Sequence, residues 1–329
     1  MEQVPIKEMR LSDLRPNNKS IDTDLGGTKL VVIGKPGSGK STLIKALLDS
    51  KRHIIPCAVV ISGSEEANGF YKGVVPDLFI YHQFSPSIID RIHRRQVKAK
   101  AEMGSKKSWL LVVIDDCMDN AKMFNDKEVR ALFKNGRHWN VLVVIANQYV
   151  MDLTPDLRSS VDGVFLFREN NVTYRDKTYA NFASVVPKKL YPTVMETVCQ
   201  NYRCMFIDNT KATDNWHDSV FWYKAPYSKS AVAPFGARSY WKYACSKTGE
   251  EMPAVFDNVK ILGDLLLKEL PEAGEALVTY GGKDGPSDNE DGPSDDEDGP
   301  SDNEDGPSDD EEGLRKDGVS EYYQSDLDD

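Results

Sequence analysis

Apolar runs of four to six residues alternate with longer amphipathic stretches along most of the chain. Lys29–Ile33 (KLVVI), Cys57–Ile61 (CAVVI), Trp109–Ile114 (WLLVVI), Val141–Ala146 (VLVVIA) and Val164–Phe167 (VFLF) are too short for buried helices and rich in β-branched residues. Such runs lack the in–out alternation of a half-exposed strand. They predict strands covered on both faces, as in a parallel sheet between two layers of helix. Weaker strand patterns fall at Leu78–Tyr81, Cys204–Ile207 and Val220–Tyr223. Helical periodicity predicts helices over Ser41–Ser50, Pro86–Met103, Asp126–Lys134 and Pro192–Gln200. Strand–helix alternation of this kind specifies an α/β fold with a mainly parallel central sheet flanked by helices.

Composition changes that picture at one end. Residues 285–312 are four seven-residue units, GPSDNED, GPSDDED, GPSDNED and GPSDDEE. A segment of Gly, Pro, Ser and acids has almost nothing to bury, which predicts a disordered tail. The net charge of the 329 residues is −11, with 41 Lys/Arg and 52 Asp/Glu. From Lys283 onward there are 20 Asp/Glu and 3 Lys/Arg, a net of −17, which leaves +6 for residues 1–282. A basic body under an acidic tail points to a polyanionic partner for the body. The chain therefore reads as an N-terminal extension (1–24), an α/β core (25–225), an extension of the body with no clear period (226–282) and the tail (283–329). Five cysteines, Cys57, Cys117, Cys199, Cys204 and Cys245, form no C-x-x-C pair and read as reduced, packed thiols. No stretch reaches the ~18 apolar residues of a membrane span, and no apolar leader opens the chain. These features predict a soluble, intracellular protein.

The first apolar strand runs into Gly34-Lys35-Pro36-Gly37-Ser38-Gly39-Lys40-Ser41, followed by Thr42 and a helix. This fits G-x-x-x-x-G-K-[ST]. Glycines let backbone amides curl around phosphate oxygens, and the helix that follows aims its N-terminal dipole at the same anion. Lys40 would supply charge to the β- and γ-phosphates of ATP, and the Ser41 hydroxyl would ligate Mg²⁺. About 75 residues on, Trp109–Ile114 delivers Asp115 and Asp116 at a strand end. There Asp115 would hold the Mg²⁺ shell, and Asp116 would activate the attacking water. The strand Val141–Ala146 ends in Asn147-Gln148, which places Gln148 to reach the γ-phosphate or that water. No N-K-x-D base-recognition motif follows, which argues against a GTPase.

Phosphoryl transfer gains from a cation delivered in trans, and Arg137, Arg158 and Arg168 are candidates, with Arg137 and Arg158 preferred. Between Arg91 and Lys107 lie seven basic residues against one acid, Glu102. That density suits a phosphate backbone and carries no base-reading chemistry.

With these motifs placed, the chain resembles the genome-packaging ATPases of nucleocytoplasmic large DNA viruses, a poxvirus-type branch of the HerA/FtsK superfamily. The resemblance rests on GKPGSGKST (34–42), LLVVIDDC (110–117), GRHWNVLVVIANQYVMDLTPDLR (136–158) and NYRCMFIDN with FWYKA (201–209 and 221–225), and spans roughly residues 25–225. It implies an additional-strand, RecA-like P-loop core with ATP and Mg²⁺ as cofactors. It further implies a homo-oligomeric ring, hexamer or pentamer, around double-stranded DNA. Such a ring would pump the genome into a preformed capsid through capsid or portal components, at sites of virion assembly in the infected cell or on the virion. Lys40, Asp115, Asp116 and Gln148 map onto the family's catalytic positions. The superfamily more often has Asp-Glu where this chain has Asp115-Asp116, which leaves the shorter Asp116 the less certain base. The motifs alone leave two other readings open: a different P-loop DNA translocase or helicase, and a P-loop kinase acting on a small phosphate acceptor.

Overall fold

The apolar runs pair side by side into one sheet, because only strand partners satisfy their buried amides and carbonyls. A computed structural model describes residues 2–21, 26–117, 123–213, 215–227, 233–253 and 275–280, all within the unit Met1–Lys283. The acidic repeat and the segment 254–274 lie outside the described residues. In chain order the elements are β1 Glu2–Lys7, β2 Lys29–Ile33, α1 Lys40–Lys51, β3 Cys57–Ser62, α2 Glu65–Asn68, β4 Ile80–Tyr81, α3 Pro86–Lys107, β5 Leu110–Asp115, α4 Lys127–Asn135, β6 Val141–Asn147, α5 Pro155–Ser159, β7 Gly163–Leu166, α6 Val172–Thr178, α7 Tyr191–Val198, β8 Arg203–Asp208, β9 Val220–Lys224, α8 Arg238–Thr248 and β10 Glu275–Tyr280.

The main sheet has the order β4-β3-β5-β6-β2-β7-β8-β9. Pairings from β4 to β7 are parallel, and β8 and β9 add antiparallel at one edge. The fold is therefore α/β and mainly parallel, as the apolar runs require. β6 lies between the strand that enters the Gly-rich loop (β2) and the strand that ends in Asp115 (β5), which is the additional-strand arrangement. β1 and β10 pair antiparallel in a separate two-stranded sheet.

Alternate residues of each central strand face opposite cores. Val31, Val112 and Val143 pack beneath Ile88, Ile89 and Ile92 of α3, Leu132 and Phe133 of α4 and Val194 and Val198 of α7. Leu30, Val32, Val113 and Val144 pack beneath Leu43, Ile44, Leu47 and Leu48 of α1. Met9, Leu11, Leu14 and Ile21 of the N-terminal extension join this second core. Each fully buried aliphatic side chain contributes roughly 1.5–3 kcal/mol, so this three-layer packing dominates the stability.

Local chemistry sets the helix ends. Asp126 caps α4 by accepting from the Glu128 amide. Pro86 starts α3, and Gly104 (φ 73°) breaks its helical geometry near the far end, so the basic stretch does not run as one regular helix. Leu78–Tyr81 is a strand only at Ile80–Tyr81; Asp77–Phe79 forms a 3₁₀ turn, closed by the Phe79 amide donating to Pro76 O at 2.9 Å. Four of the five cysteines are buried, and all five are free. Among the described residues, no helix is long and apolar enough to cross a membrane.

Candidate functional site

Strand register brings the site together. Ile33 lies opposite Asn147, Ala146 opposite Asp115, and Asp115 opposite Ser62. The carboxyl ends of β2, β6, β5 and β3 are therefore flush, and the residues that leave them share one edge of the sheet. Ligands of open α/β sheets bind at that edge.

The Gly-rich loop leaves β2 there. A side chain at Gly34 would place its Cβ 2.6 Å from Ser38 Oγ and 2.8 Å from Phe167 Cβ, so only glycine lets the loop turn. Gly39 takes φ +108° as the residue that caps α1, and no side chain caps that helix end. The first amides of α1 thus stay available to an anion. Ser38 Oγ is buried without a protein partner, a polar atom aimed into the loop that a phosphate oxygen would satisfy. Lys40 Nζ donates to Gly34 O at 2.8 Å and Lys35 O at 3.1 Å. Burial lowers the Lys40 pKa, and the Asp115 and Asp116 charges offset part of that. Lys35 Nζ pairs with Glu169 at 2.8 Å, which ties the loop to the chain after β7 and raises the Lys35 pKa.

Asp115 is buried at the end of β5. Its Oδ2 accepts from the Ser41 hydroxyl at 3.3 Å and from the Tyr71 hydroxyl at 2.6 Å. Burial raises its pKa, while the Tyr71 hydrogen bond and the Lys40 charge pull the other way. Ser41 and Asp115 offer a hydroxyl and a carboxylate side by side, hard oxygen donors of the type that Mg²⁺ takes beside waters and phosphates. Among the described residues no cluster of three or more His, Cys, Asp or Glu could hold a metal by itself. Asp116 is exposed and takes a left-handed backbone (φ 52°). A Cβ on Gly63 would fall 2.4 Å from Asp116 O, so the β3 exit must be bare for Asp116 to turn.

Gln148 leaves β6 and lines a cavity of about 200 Å³ with Gly34, Tyr149, Met151, Arg168 and Tyr174. The three arginines separate. Arg168 is on the wall of that cavity, with Nε donating to Asn170 Oδ1 at 3.0 Å. Arg158 on α5 donates to Met151 Sδ at 3.5 Å, beside the same cavity. Arg137 precedes β6 and ion-pairs with buried Asp162, which also accepts the Lys29 amide at 2.9 Å. Lys29 begins β2, so Arg137 stands at the opposite edge of the sheet from its own chain's loop. Along α3, Arg94 pairs with Asp90, Lys98 with Glu102 at 3.8 Å, and Lys100 donates to His138 O at 3.1 Å. Part of the basic charge there is matched within the chain.

Sequence reasoning missed Tyr71, Gly63 and Glu65. Glu65 Oε1 accepts the Tyr71 and Lys72 amides at 2.8 and 3.0 Å and so fixes the loop that carries the Tyr71 hydroxyl to Asp115. No spacing rule points to them, because they follow the neighbouring strand, β3.

No family model matches the sequence. The uncharacterized protein 015R of Frog virus 3 (isolate Goorha) is 98% identical over 329 residues, covering all of both chains. The uncharacterized protein 088R of Invertebrate iridescent virus 3 is 39% identical over 234 residues, 70% of this chain and 89% of its own. The uncharacterized protein L437 of Acanthamoeba polyphaga mimivirus is 34% identical over 220 residues, 64% of this chain and 76% of its own. Among solved structures, the genome packaging NTPase B204 from Sulfolobus turreted icosahedral virus 2, in complex with ATP-γS, aligns over 60% of this chain and 96% of its own, with 16% identity and a TM-score of 0.45.

Proposed function

We propose that this chain, which belongs to the family of these iridescent-virus and mimivirus proteins, is an ATPase that translocates double-stranded DNA and packages a viral genome into a preformed capsid. The observation that carries the reading is the flush edge where Lys40, Ser41, Asp115, Asp116 and Gln148 meet around a bare-backbone loop. The loop residues Gly34 to Thr42 cradle the phosphates of ATP, and Lys40 exchanges its loop carbonyls for phosphate oxygens. Ser41 and Asp115 would hold Mg²⁺, which would supply charge neutralisation across the phosphates. Asp116 takes a proton from the attacking water, and Gln148 orients that water from the adjacent strand.

Subunits form a ring in which Arg137 or Arg158 acts on the neighbour's ATP. Arg137 is held by buried Asp162 at the edge of the sheet opposite its own loop, and a role in trans would require it to leave that pair. The +6 body and the exposed arginines and lysines of α3 suit the DNA backbone. The packaging role rests on the resemblance of residues 136–158 and implies capsid or portal partners at the site of virion assembly.

The test is ATP hydrolysis by the full chain with and without duplex DNA, alongside a native mass. Stimulation by duplex without strand separation, from a ring-sized species, is expected. Hydrolysis indifferent to DNA from a monomer, with transfer to a small acceptor, would overturn the reading in favour of a kinase.

A further inference from the structure

Tyr202 is the most exposed aromatic residue near the loop, with 70% of its surface open. It sits in the turn between α7 and β8, where Asn201 and Tyr202 both take left-handed backbone, φ 51° and φ 63°. A bulky residue seldom adopts that conformation. Here it carries a large ring out of the core and against the loop: the ring's Cδ1 lies 3.8 Å from where a Cβ on Gly39 would be. The Phe167 ring approaches the same point at 3.4 Å from inside the fold. Gly39 is thus flanked by one buried and one open aromatic ring.

Strand order fixes what such a ring faces. Asp115 and Gln148 leave β5 and β6, on one side of β2. Tyr202 precedes β8, on the other side, beyond β7. A nucleotide lying across the loop with its terminal phosphate toward Asp115 directs its base away from β5 and toward Tyr202. We propose that Tyr202 is the stacking platform for the nucleotide base. This rests on the nucleotide reading above and adds the base subsite to it. An open aromatic face stacks on any base, because every base has a π-face, so the platform senses a base without selecting its identity.

The experiment is calorimetric binding of Mg·ATP, Mg·GTP and Mg·tripolyphosphate to the full chain and to Tyr202→Ala, Tyr202→Trp and Lys40→Ala. Tyr202→Ala should lose about tenfold in affinity for both nucleotides. Its affinity for tripolyphosphate, which has no base, should stay at the wild-type value. Tyr202→Trp should restore nucleotide binding, with indole fluorescence quenched by ATP and not by tripolyphosphate. Lys40→Ala should lose all three ligands. If the wild type binds ATP and tripolyphosphate and Tyr202→Ala binds ATP equally well, the platform is wrong and the nucleotide site stands. A parallel loss of tripolyphosphate in Tyr202→Ala would also overturn it, since the ring would then support the loop. A wild-type chain that binds neither ligand would sink both readings.

Discussion

At the residue scale, charge and hydrogen bonding divide the labour of the site. Lys40 is a half-buried cation held on two loop carbonyls, and Asp116 is an exposed carboxylate just past the end of β5. Lys40→Ala should remove ATP binding and at least a hundredfold of turnover, while Asp116→Asn keeps affinity within a few-fold and loses a similar factor in turnover. Equilibrium binding and single-turnover hydrolysis on the same preparations separate the two losses; normal turnover in the Lys40 variant would contradict the phosphate-loop assignment. Tyr71 acts through Asp115, whose Oδ2 it holds at 2.6 Å. Tyr71→Phe deletes one hydrogen bond inside the fold, worth about 1 kcal/mol net. It should leave ATP affinity nearly unchanged and shift the Mg²⁺ dependence of hydrolysis to higher concentration. An unchanged Mg²⁺ titration would reduce Tyr71 to packing.

At the element scale, α1 links the loop to the N-terminal extension through a buried charge. Lys51, in its last turn, is fully buried and donates to the carbonyls of Ser12, Leu14 and Pro16 at 3.3, 2.6 and 3.1 Å. Burial pulls its pKa from 10.5 down to about 7. Below that value the folded and unfolded chains both carry the proton. Between about pH 7 and 10.5 the unfolded chain holds more protons, so this group makes stability rise with pH, by at most about 1.4 kcal/mol per pH unit. Lys51→Met should abolish that rise and also lower stability at pH 7, by about 2–4 kcal/mol, because three carbonyls lose their donors. Denaturant melts of both proteins from pH 6.5 to 9.5 measure the slope, and parallel pH profiles would refute the assignment. The strands and the loop were legible because wholly apolar runs and G-x-x-x-x-G-K-S are local signals. Lys51 was not, since its partners lie 35 to 39 residues away and a lysine in a helical pattern reads as solvated. The antiparallel addition of β8 and β9 was likewise invisible, because period and composition carry no strand direction. Gly63 and Tyr71 escaped for the same reason: their roles arise from strand adjacency, and adjacency is set only by the assembled sheet.

At the scale of the whole molecule, the charge split is the largest feature of the sequence that the folded body does not absorb. Residues 1–282 carry +6 and residues 283–329 carry −17. A flexible polyanion tethered to a basic body would compete with a second polyanion such as DNA for the same lysines and arginines. Each repeat also places an acid three residues after serine, at Ser287, Ser294, Ser301 and Ser308. That spacing resembles the sites of acidophilic kinases, and each phosphate would add about −1.5 to −2 charge. Removing residues 283–329 should therefore tighten binding to duplex DNA, most strongly at low salt, because added ions screen the attraction between tail and body. Phosphorylation of the full chain should weaken binding over the same salt range. The measurement is duplex affinity of the full chain, its phosphorylated form and the 1–282 chain across a salt series. The two unmodified curves should converge as salt rises. Equal affinities at every salt concentration would mean that the tail never meets the DNA-binding surface and serves solubility alone.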